Sequence, residues 1–240
     1  MQSDHSRLAT RLAALSVHVL TASGVALGLL ALERAVAKDF SAMFGWLALA
    51  LFVDGIDGTL ARMAQVKVHA PWFDGETLDL VVDCLTYVIV PVTALWQAGQ
   101  MAPVPGAIVL LIVGTASALY FADKRMKTGD HWFRGFPAIW NVLILYLLAF
   151  PLPGWLVALV LLGCAAMMFA PIVFVHPMRV RQWRVLTNAV GALWCVCAAL
   201  VIFDNLQGPF FARAGLLVCA VYFIVLPLAR RGSNEQKVED

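Results

Sequence analysis

Eight apolar stretches, each close to the length that crosses a lipid bilayer, follow one another along this chain. A transmembrane helix needs about 20 mostly apolar residues. The stretches are residues 12–32, 41–60, 78–98, 103–122, 136–151, 154–175, 185–203 and 209–229. A composition of 62% hydrophobic and 13% charged residues is far from that of a soluble domain. The sequence predicts an all-α, polytopic membrane protein with about eight transmembrane helices, forming a single domain over residues 1–240.

The basic residues are distributed unevenly between the two sides that eight spans define. With the N-terminus inside, only Arg34, Lys38 and Arg213 of the 17 basic residues lie outside, and the other fourteen lie inside. Cytoplasmic loops carry such an excess. We therefore predict that both termini and the loop between Arg62 and Gly75 are cytoplasmic.

The two ends of the chain differ from the apolar stretches. Residues 1–11 place Leu8 against Arg7 and Arg11, a pattern typical of an amphipathic segment along the cytoplasmic leaflet. Residues 232–240 are mostly polar and predict a disordered tail. The net charge of +2 is too small to indicate a nucleic-acid partner.

Four aspartates interrupt the second and third apolar stretches. Asp54 and Asp57 are three residues apart, and Asp79 and Asp83 are four apart, so each pair shares a helix face. An ionised side chain at membrane depth costs about 3 kcal/mol or more, which makes a functional site the default interpretation. Because a short connection makes the two helices antiparallel neighbours, we expect the two faces to meet near the cytoplasmic boundary.

Four acids in one place would repel each other, and a divalent cation removes that repulsion. Carboxylate oxygens suit Mg²⁺ or Mn²⁺, which proteins commonly share with substrate phosphates. We therefore predict one or two such ions, held by Asp54, Asp57, Asp79 and Asp83. An ion-coupled transporter would also use intramembrane acids, but it would spread them through the membrane depth.

Small residues flank the acids. Gly58, Ala61 and Gly75 each lie four residues from an aspartate, which leaves room for a nucleotide or a diphosphate, although small residues also promote helix packing. Arg62 follows at the membrane edge, where it either pairs with a phosphate or anchors the helix among the head groups.

The pattern D-x-x-D-G-x-x-A-R, followed by G-x-x-x-D-x-x-x-D, resembles the signature of the CDP-alcohol phosphatidyltransferases. This family transfers a phosphatidyl or similar group from a CDP-linked donor to an alcohol and releases CMP. The resemblance implies that Asp54, Asp57 and Asp79 hold the metal and that Asp83 is the catalytic base. It also implies that Gly58, Ala61 and Gly75 form the nucleotide surface, and that the protein is a homodimer.

Other, less specific features of the sequence resemble the bacterial phosphatidylcholine synthase branch of that family. They are the twelve residues 63–74 between the arginine and the glycine, VHVLTASG at residues 17–24, and FRGFPAIWN at residues 133–141. The branch implies an inner-membrane enzyme that joins CDP-diacylglycerol to choline. Serine, glycerol 3-phosphate and an inositol phosphate remain alternative acceptors.

The remaining candidates follow from the chemistry of these substrates. A quaternary ammonium group is recognised by aromatic faces, so the choline candidates are Tyr87, Trp140, Asn141 and Trp72, although an interfacial aromatic belt explains single aromatic residues as well. Thr21 and Arg134 are candidate contacts of CDP-diacylglycerol, with helix packing an equal explanation for Thr21. His18 is interpreted as a membrane histidine whose hydrogen bonds are satisfied.

Overall fold

The computed structural model describes residues 2–126, 133–174 and 183–226. Within these ranges the chain forms nine helices. They are α1 (Gln2–Val36), α2 (Phe40–Met63), α3 (Val66–His69), α4 (Gly75–Ala98), α5 (Pro103–Ala122), α6 (Trp140–Ala149), α7 (Gly154–Met167), α8 (Arg184–Phe203) and α9 (Phe210–Val225). Each predicted apolar stretch overlaps with one helix, and α3 is an additional short one. The tail predicted at residues 232–240 lies outside the described residues.

Five of these helices are long and apolar enough to cross a membrane: α1 from Arg7 onward, α2, α4, α5 and α8. The other three apolar helices are shorter, with 10 residues in α6, 14 in α7 and 16 in α9. The chain is thus a helical, multi-pass membrane protein. The prediction of helices is confirmed for all eight stretches, and the length of a full span for five of them within the described part of the chain.

The first helix is continuous from Gln2 to Val36, so the predicted amphipathic segment forms its opening turns. Further along, α1 packs against α2 and α4. Glycines allow the close approach: a Cβ atom at Gly24 would lie 2.5 Å from a methyl group of Val82, and one at Gly28 would lie 2.5 Å from a methyl group of Leu85. Small residues promote such packing in membranes, and here they place α1 directly against the helix that carries Asp79 and Asp83.

Helix α4 changes its winding in the middle. Its first part, Gly75–Asp83, is α-helical, a π-helical turn follows at Cys84–Ile89, and Val90–Ala98 is α-helical again. Pro91 lacks a backbone N–H and cannot donate to the carbonyl of Tyr87, which weakens the regular ladder at this point. Such turns often occur at functional sites, and this one begins directly after Asp83.

Contacts between the helix ends and the connections beside them hold one end of the bundle together. They join Ser41 to Asn205 (Oγ to Oδ1, 3.4 Å), Gln100 to Leu147 (Nε2 to O, 3.0 Å) and Arg213 to Ala149 (Nη2 to O, 3.2 Å). The α1–α2, α4–α5, α6–α7 and α8–α9 connections therefore lie at the same end. The loop between α2 and α4 lies at the opposite end, with the aspartates.

The fifth predicted stretch begins too early. It was expected to start at Phe136, but α6 starts at Trp140, because Ala138 has a left-handed backbone with φ of 56°. Gly135, with φ of 74°, packs its backbone against the carbonyl of Met168, where a Cβ atom would collide. This contact keeps the segment before Trp140 out of the helix.

A short β ladder accounts for a second difference. Strands β1 (Phe133–Arg134) and β2 (Val173–Phe174) pair antiparallel, with Phe133 opposite Phe174. The sixth stretch was expected to continue to residue 175, but α7 ends at Met167 and the chain turns into β2. The all-α prediction therefore holds apart from these four residues in the described part of the chain.

Candidate metal and substrate site

Three carboxylates from two helices converge at the end of the bundle opposite those connections. Asp54 and Asp57 lie on α2, and Asp79 lies in the second turn of α4. One oxygen from each carboxylate lies within 4.8 Å of the other two. Asp57 is only 7% exposed, and the other two are half-buried. The structure thus brings together three of the four aspartates that the sequence predicts as metal ligands.

The chemistry of this cluster fits a hard divalent cation. Three negative charges in a half-buried space repel one another, and a cation between them offsets that repulsion. The cluster consists of carboxylates alone, a donor set that suits Mg²⁺ or Mn²⁺ better than zinc. The identity and the number of ions remain predictions.

Two hydroxyl groups hold the carboxylates in place. Thr21 on α1 donates from Oγ1 to Oδ2 of Asp57 over 2.7 Å, and Tyr87 donates from its hydroxyl to Oδ2 of Asp54 over 3.1 Å. Groups that hydrogen-bond a metal ligand fix its orientation and tune its affinity. Thr21, a predicted contact of CDP-diacylglycerol, therefore lies at the site through its contact with Asp57, and Tyr87, a predicted choline contact, through Asp54.

The fourth aspartate is placed differently. Asp83 lies one turn beyond Asp79, at the last α-helical residue before the π-helical turn of α4. It is half-buried and does not belong to the three-carboxylate cluster found among the described residues. This arrangement is compatible with a chemical role for Asp83 that differs from that of the cluster.

The start of α4 is fixed by a side-chain cap. Asp74 accepts hydrogen bonds from the backbone N–H of Glu76 (3.0 Å), and from the backbone N–H (3.2 Å) and the hydroxyl (2.8 Å) of Thr77. The hydroxyl bond with Thr77 is the main cause that lowers the pKa of Asp74 below its ordinary value. A cap of this kind satisfies N–H groups that have no partner within the helix, and it sets where Gly75 and the site begin.

The small residues lie beside polar side chains. A Cβ atom at Gly58 would lie 3.6 Å from Nη1 of Arg62, whose Nη2 donates to Thr59 over 3.0 Å. The guanidinium therefore folds back along α2 towards Gly58, and Arg62 itself is exposed. Ala61 is half-buried on the same helix.

Gly75 lies against the ring of His18. A Cβ atom at Gly75 would lie 3.3 Å from Cε1 of His18, and the ring of Phe73 is 5.3 Å from the histidine ring. His18 is 6% exposed, yet its Nε2 has no hydrogen-bond partner among the described residues. The interpretation of His18 as a histidine whose hydrogen bonds are satisfied is therefore wrong for its Nε2 atom.

The other choline candidates lie in different surroundings. Trp140 is fully buried, donates from Nε1 to Ser117 over 2.7 Å, and has its ring 5.0 Å from that of Phe136. Asn141 is half-buried in the first turn of α6. Trp72 is 60% exposed in the loop before α4. Arg134, predicted to contact CDP-diacylglycerol, lines a cavity with Tyr120 and Arg125 whose lining includes none of the four aspartates.

Comparison with known proteins identifies the family to which this chain belongs. The chain is 42% identical over 216 residues to a phosphatidylcholine synthase of Bradyrhizobium diazoefficiens, covering 90% of this chain and 80% of that protein. It is 40% identical over 209 residues to one of Brucella melitensis (87% and 76%). The chain belongs to the phosphatidylcholine synthase family. No protein-family model matches it.

A third relative, the phosphatidylcholine synthase of Pseudomonas aeruginosa, is 41% identical over 211 residues, which cover 84% of this chain and 87% of that protein. The resemblance to the CDP-alcohol phosphatidyltransferases and to their phosphatidylcholine synthase branch is therefore confirmed.

Sequence reasoning missed two contacts at this site. Tyr87, which donates to Asp54, lies in the π-helical turn, and the one signal of that turn in the sequence is Pro91 within an apolar run. The position of His18 beside Gly75 had a clearer signal. His18 lies three residues before Thr21 and shares its face of α1, and Thr21 and Gly75 are both predicted to contact the same substrate.

Proposed function

We propose that this chain condenses CDP-diacylglycerol with choline to give phosphatidylcholine and CMP. The convergence of Asp54, Asp57 and Asp79 within 4.8 Å, at one end of a bundle of apolar helices, supports this proposal most directly. A diphosphate with two acyl chains belongs at such a boundary, with its chains in the bilayer and its charges at the surface. The similarity to phosphatidylcholine synthases points to choline as the acceptor.

The reaction requires one bond to form and one to break. The choline hydroxyl oxygen attacks the phosphorus that carries diacylglycerol, and the bond from that phosphorus to the oxygen bridging to CMP breaks. Asp83 accepts the hydroxyl proton, a general-base role that contributes about 10²- to 10⁴-fold. The proton then passes to water, and CMP leaves with the electron pair of the broken bond.

The three clustered aspartates would hold the divalent cation. When bound, Mg²⁺ or Mn²⁺ supplies charge stabilisation for the diphosphate and for the departing CMP. Thr21 and Tyr87 keep two of the carboxylates oriented for this task, so the site is prepared before the substrate arrives.

The nucleotide would lie along Gly58, Ala61 and Gly75, where the absence of large side chains leaves the backbone accessible. Arg62 is close to Gly58 and can turn its planar guanidinium towards a phosphate. The contact of CDP-diacylglycerol with Thr21 is proposed to run through the hydroxyl that also holds Asp57. The contact with Arg134 remains a prediction.

The choline ammonium group needs an aromatic face near Asp83. Tyr87 follows Asp83 by one turn and already contacts Asp54, so we propose its ring as the first cation–π partner. Trp140 is fully buried against Ser117 and Phe136, which favours a role in packing α6 against α5. Asn141 and Trp72 remain choline candidates, one in the first turn of α6 and one in the loop before α4.

We further propose eight spans in a bacterial inner membrane, with both termini and the site on the cytoplasmic side. Arg34, Lys38 and Arg213 lie at the opposite end, in a connection or within one turn of one, and the excess of basic residues elsewhere supports this orientation. The homodimer implied by the family resemblance belongs to the same proposal, and phenylalanines on α8 and α9 that are 87% exposed (Phe203, Phe210) suit lipid or a second copy.

An acceptor assay tests the proposed function. Washed membranes that contain the protein receive CDP-diacylglycerol, Mn²⁺ and labelled choline, and parallel samples receive labelled serine, glycerol 3-phosphate or an inositol phosphate. We expect CMP release and labelled phosphatidylcholine with choline only, and neither product from membranes that carry Asp79→Asn. Absence of choline-dependent CMP release from the wild type would refute the proposal. Release with another acceptor instead would identify that acceptor as the substrate.

A further inference from the structure

The proposed reaction leaves a buried histidine, His18, without a task. Its side chain is 6% exposed and lies one turn before Thr21, on the same face of α1. Neither of its ring nitrogens has a hydrogen-bond partner among the residues that the structure describes. Buried polar side chains are nearly always hydrogen-bonded, and one that is not needs an explanation such as a ligand.

The two ring nitrogens of His18 lie in different surroundings. Nε2 is enclosed by protein and cannot reach a ligand in this orientation of the ring. Nδ1 is not enclosed in the same way, and it lies on the edge that faces Gly75. A Cβ atom at that glycine would be 3.7 Å from Nδ1 and 3.3 Å from the adjacent Cε1.

This difference determines which nitrogen donates. A neutral imidazole carries one N–H. Buried N–H groups without an acceptor are rarer in proteins than buried acceptors without a donor, so the hydrogen belongs on Nδ1 and not on the enclosed Nε2. His18 therefore presents a hydrogen-bond donor towards Gly75, where the substrate is proposed to lie.

The position of this donor selects one part of the substrate. Gly75 lies one turn before Asp79 on α4. His18 lies one turn before Thr21 on α1, and Thr21 donates to Asp57. Both residues are thus on the loop side of the aspartate cluster, where the diphosphate of CDP-diacylglycerol is proposed to bind. The acyl chains extend from the diphosphate into the bilayer and the nucleoside extends the other way, so the base is the group that reaches His18.

An aromatic ring lies beside the donor. The ring of Phe73 is 5.3 Å from that of His18, at an interplanar angle of 36°, and Phe73 is 50% exposed. Nucleobases stack on aromatic side chains that are accessible in this way. The two residues together offer a flat apolar face and a hydrogen-bond donor at its edge, which match the face and the edge of a base.

We propose that His18 and Phe73 form the base pocket for CDP-diacylglycerol, and that His18 makes the pocket selective for cytosine; this inference rests on the function proposed above. Nδ1–H donates to N3 of cytosine, a ring nitrogen without a hydrogen, while the base stacks on Phe73. In uracil N3 carries a hydrogen, so two N–H groups would face each other and the bond is lost. The pocket thus separates a cytidine nucleotide from a uridine nucleotide of the same size.

Calorimetric titration of CMP and of UMP into the full-length protein, in an uncharged detergent with Mn²⁺, tests this pocket. The readout is the ratio of the Kd for UMP to the Kd for CMP, which should exceed one in the wild type. His18→Phe keeps a ring of similar size and should lower the ratio about twofold to tenfold, as expected for one lost hydrogen bond.

Two amide variants locate the donor. The side-chain amide of His18→Asn lies as far from the backbone as Nδ1 does, so this variant should keep most of the preference for CMP. The amide of His18→Gln extends to the level of Nε2, and this variant should lose the preference. A histidine that only filled space would show no such difference between the two.

The stacking partner has its own signature. Phe73→Ala should raise the Kd for CMP and the Kd for UMP alike, by about fivefold to a hundredfold, because both bases have a face that stacks. The ratio of the two constants should therefore stay unchanged. Phe210→Ala removes an 87% exposed ring at the start of α9, at the opposite end of the bundle, and should change neither constant.

Four results would overturn the base pocket. They are equal binding of CMP and UMP by the wild type, a wild-type ratio in a His18→Phe protein that keeps its Tm, equal ratios in His18→Asn and His18→Gln, and an unchanged Kd for CMP in Phe73→Ala. With choline-dependent CMP release by the wild type, any of these results refutes the pocket and leaves the proposed function standing. Absence of that release refutes the function on which the pocket rests.

Discussion

Thr21 on the first helix and Asp57 on the second are joined by a 2.7 Å hydrogen bond in a buried setting. The bond links the orientation of a carboxylate in the acidic cluster to the packing of α1 against α2. A helix without any acidic residue of the motif thus takes part in shaping the site. The same role falls to Tyr87, which reaches Asp54 from the π-helical turn of α4.

Thr21→Val should weaken the apparent affinity for Mn²⁺ in the turnover assay, because Asp57 loses the donor that orients it. We expect the concentration for half-maximal activity to rise about tenfold to a hundredfold, the usual effect of losing a group that supports a metal ligand. Thr21→Ser keeps the hydroxyl and should stay within a few-fold of the wild type. Mn²⁺ titrations of CMP release provide the measurement, and equal effects of both substitutions would assign the threonine to packing alone.

Tyr87 is predicted to have two separable roles. Tyr87→Phe removes the hydroxyl that contacts Asp54 but keeps the ring, so it should raise the Mn²⁺ requirement while leaving the KM for choline nearly unchanged. Tyr87→Leu removes the ring as well and should also raise the KM for choline, by about twofold to thirtyfold for a lost cation–π contact. If the KM for choline is the same in both variants, the ring does not contact choline.

Much of this architecture was predictable because it depends on local patterns. Apolar runs of about 20 residues must bury their backbone groups within a helix in lipid, so the eight stretches identify the helices. The spacing of Asp54 and Asp57, together with that of Asp79 and Asp83, determines the shared faces through the helical period. A short loop then makes α2 and α4 neighbours, and the meeting of their acidic faces follows.

Features that depend on tertiary contacts were not predictable in the same way. Pro137 suits the first turn of a helix, but the contact of Gly135 with Met168 and the left-handed Ala138 delay the helix to Trp140. Trp140 is an aromatic residue of the kind that contacts choline, yet it is buried against α5, where it donates to Ser117. The periodicity of one helix contains no information about which groups a neighbour presents.

Asp74 should stabilise the start of α4 in a pH-dependent manner. Its pKa is lower in the folded protein than the ordinary value of 3.8, chiefly through the hydrogen bond from Thr77. Its contribution to stability is therefore fully present above pH 3.8 and is lost as the pH falls through the lowered pKa. Asp74→Ala should lower Tm at pH 7, and Asp74→Asn, which keeps an acceptor oxygen, should lower it less. Thermal unfolding in detergent at pH 7 and at pH 3 checks this, and the difference between the wild type and Asp74→Asn should shrink at pH 3.

Gly75→Ala should weaken binding of the nucleotide more than it weakens the fold. The added Cβ would lie 3.3 Å from His18, so the ring must shift or the start of α4 must move by a few tenths of an ångström. We expect a higher KM for CDP-diacylglycerol and weaker inhibition by CMP, with the KM for choline unchanged. Gly163→Ala on α7, where a Cβ atom meets nothing within 4 Å, is the matched control and should leave all three constants unchanged.

Asp83→Asn and Asp79→Asn should separate the proposed base from the proposed metal ligands. Asp83 lies one turn beyond Asp79 and outside the three-carboxylate cluster. Asp83→Asn should therefore reduce turnover about 10²- to 10⁴-fold, while CMP still binds in the presence of Mn²⁺. Asp79→Asn removes a charge from the cluster itself and should reduce both turnover and Mn²⁺-dependent binding of CMP. Calorimetric titration of CMP into the purified variants, with and without Mn²⁺, supplies the second readout. Near-normal turnover in Asp83→Asn would refute its role as the base, and loss of CMP binding equal to that of Asp79→Asn would place Asp83 among the metal ligands instead.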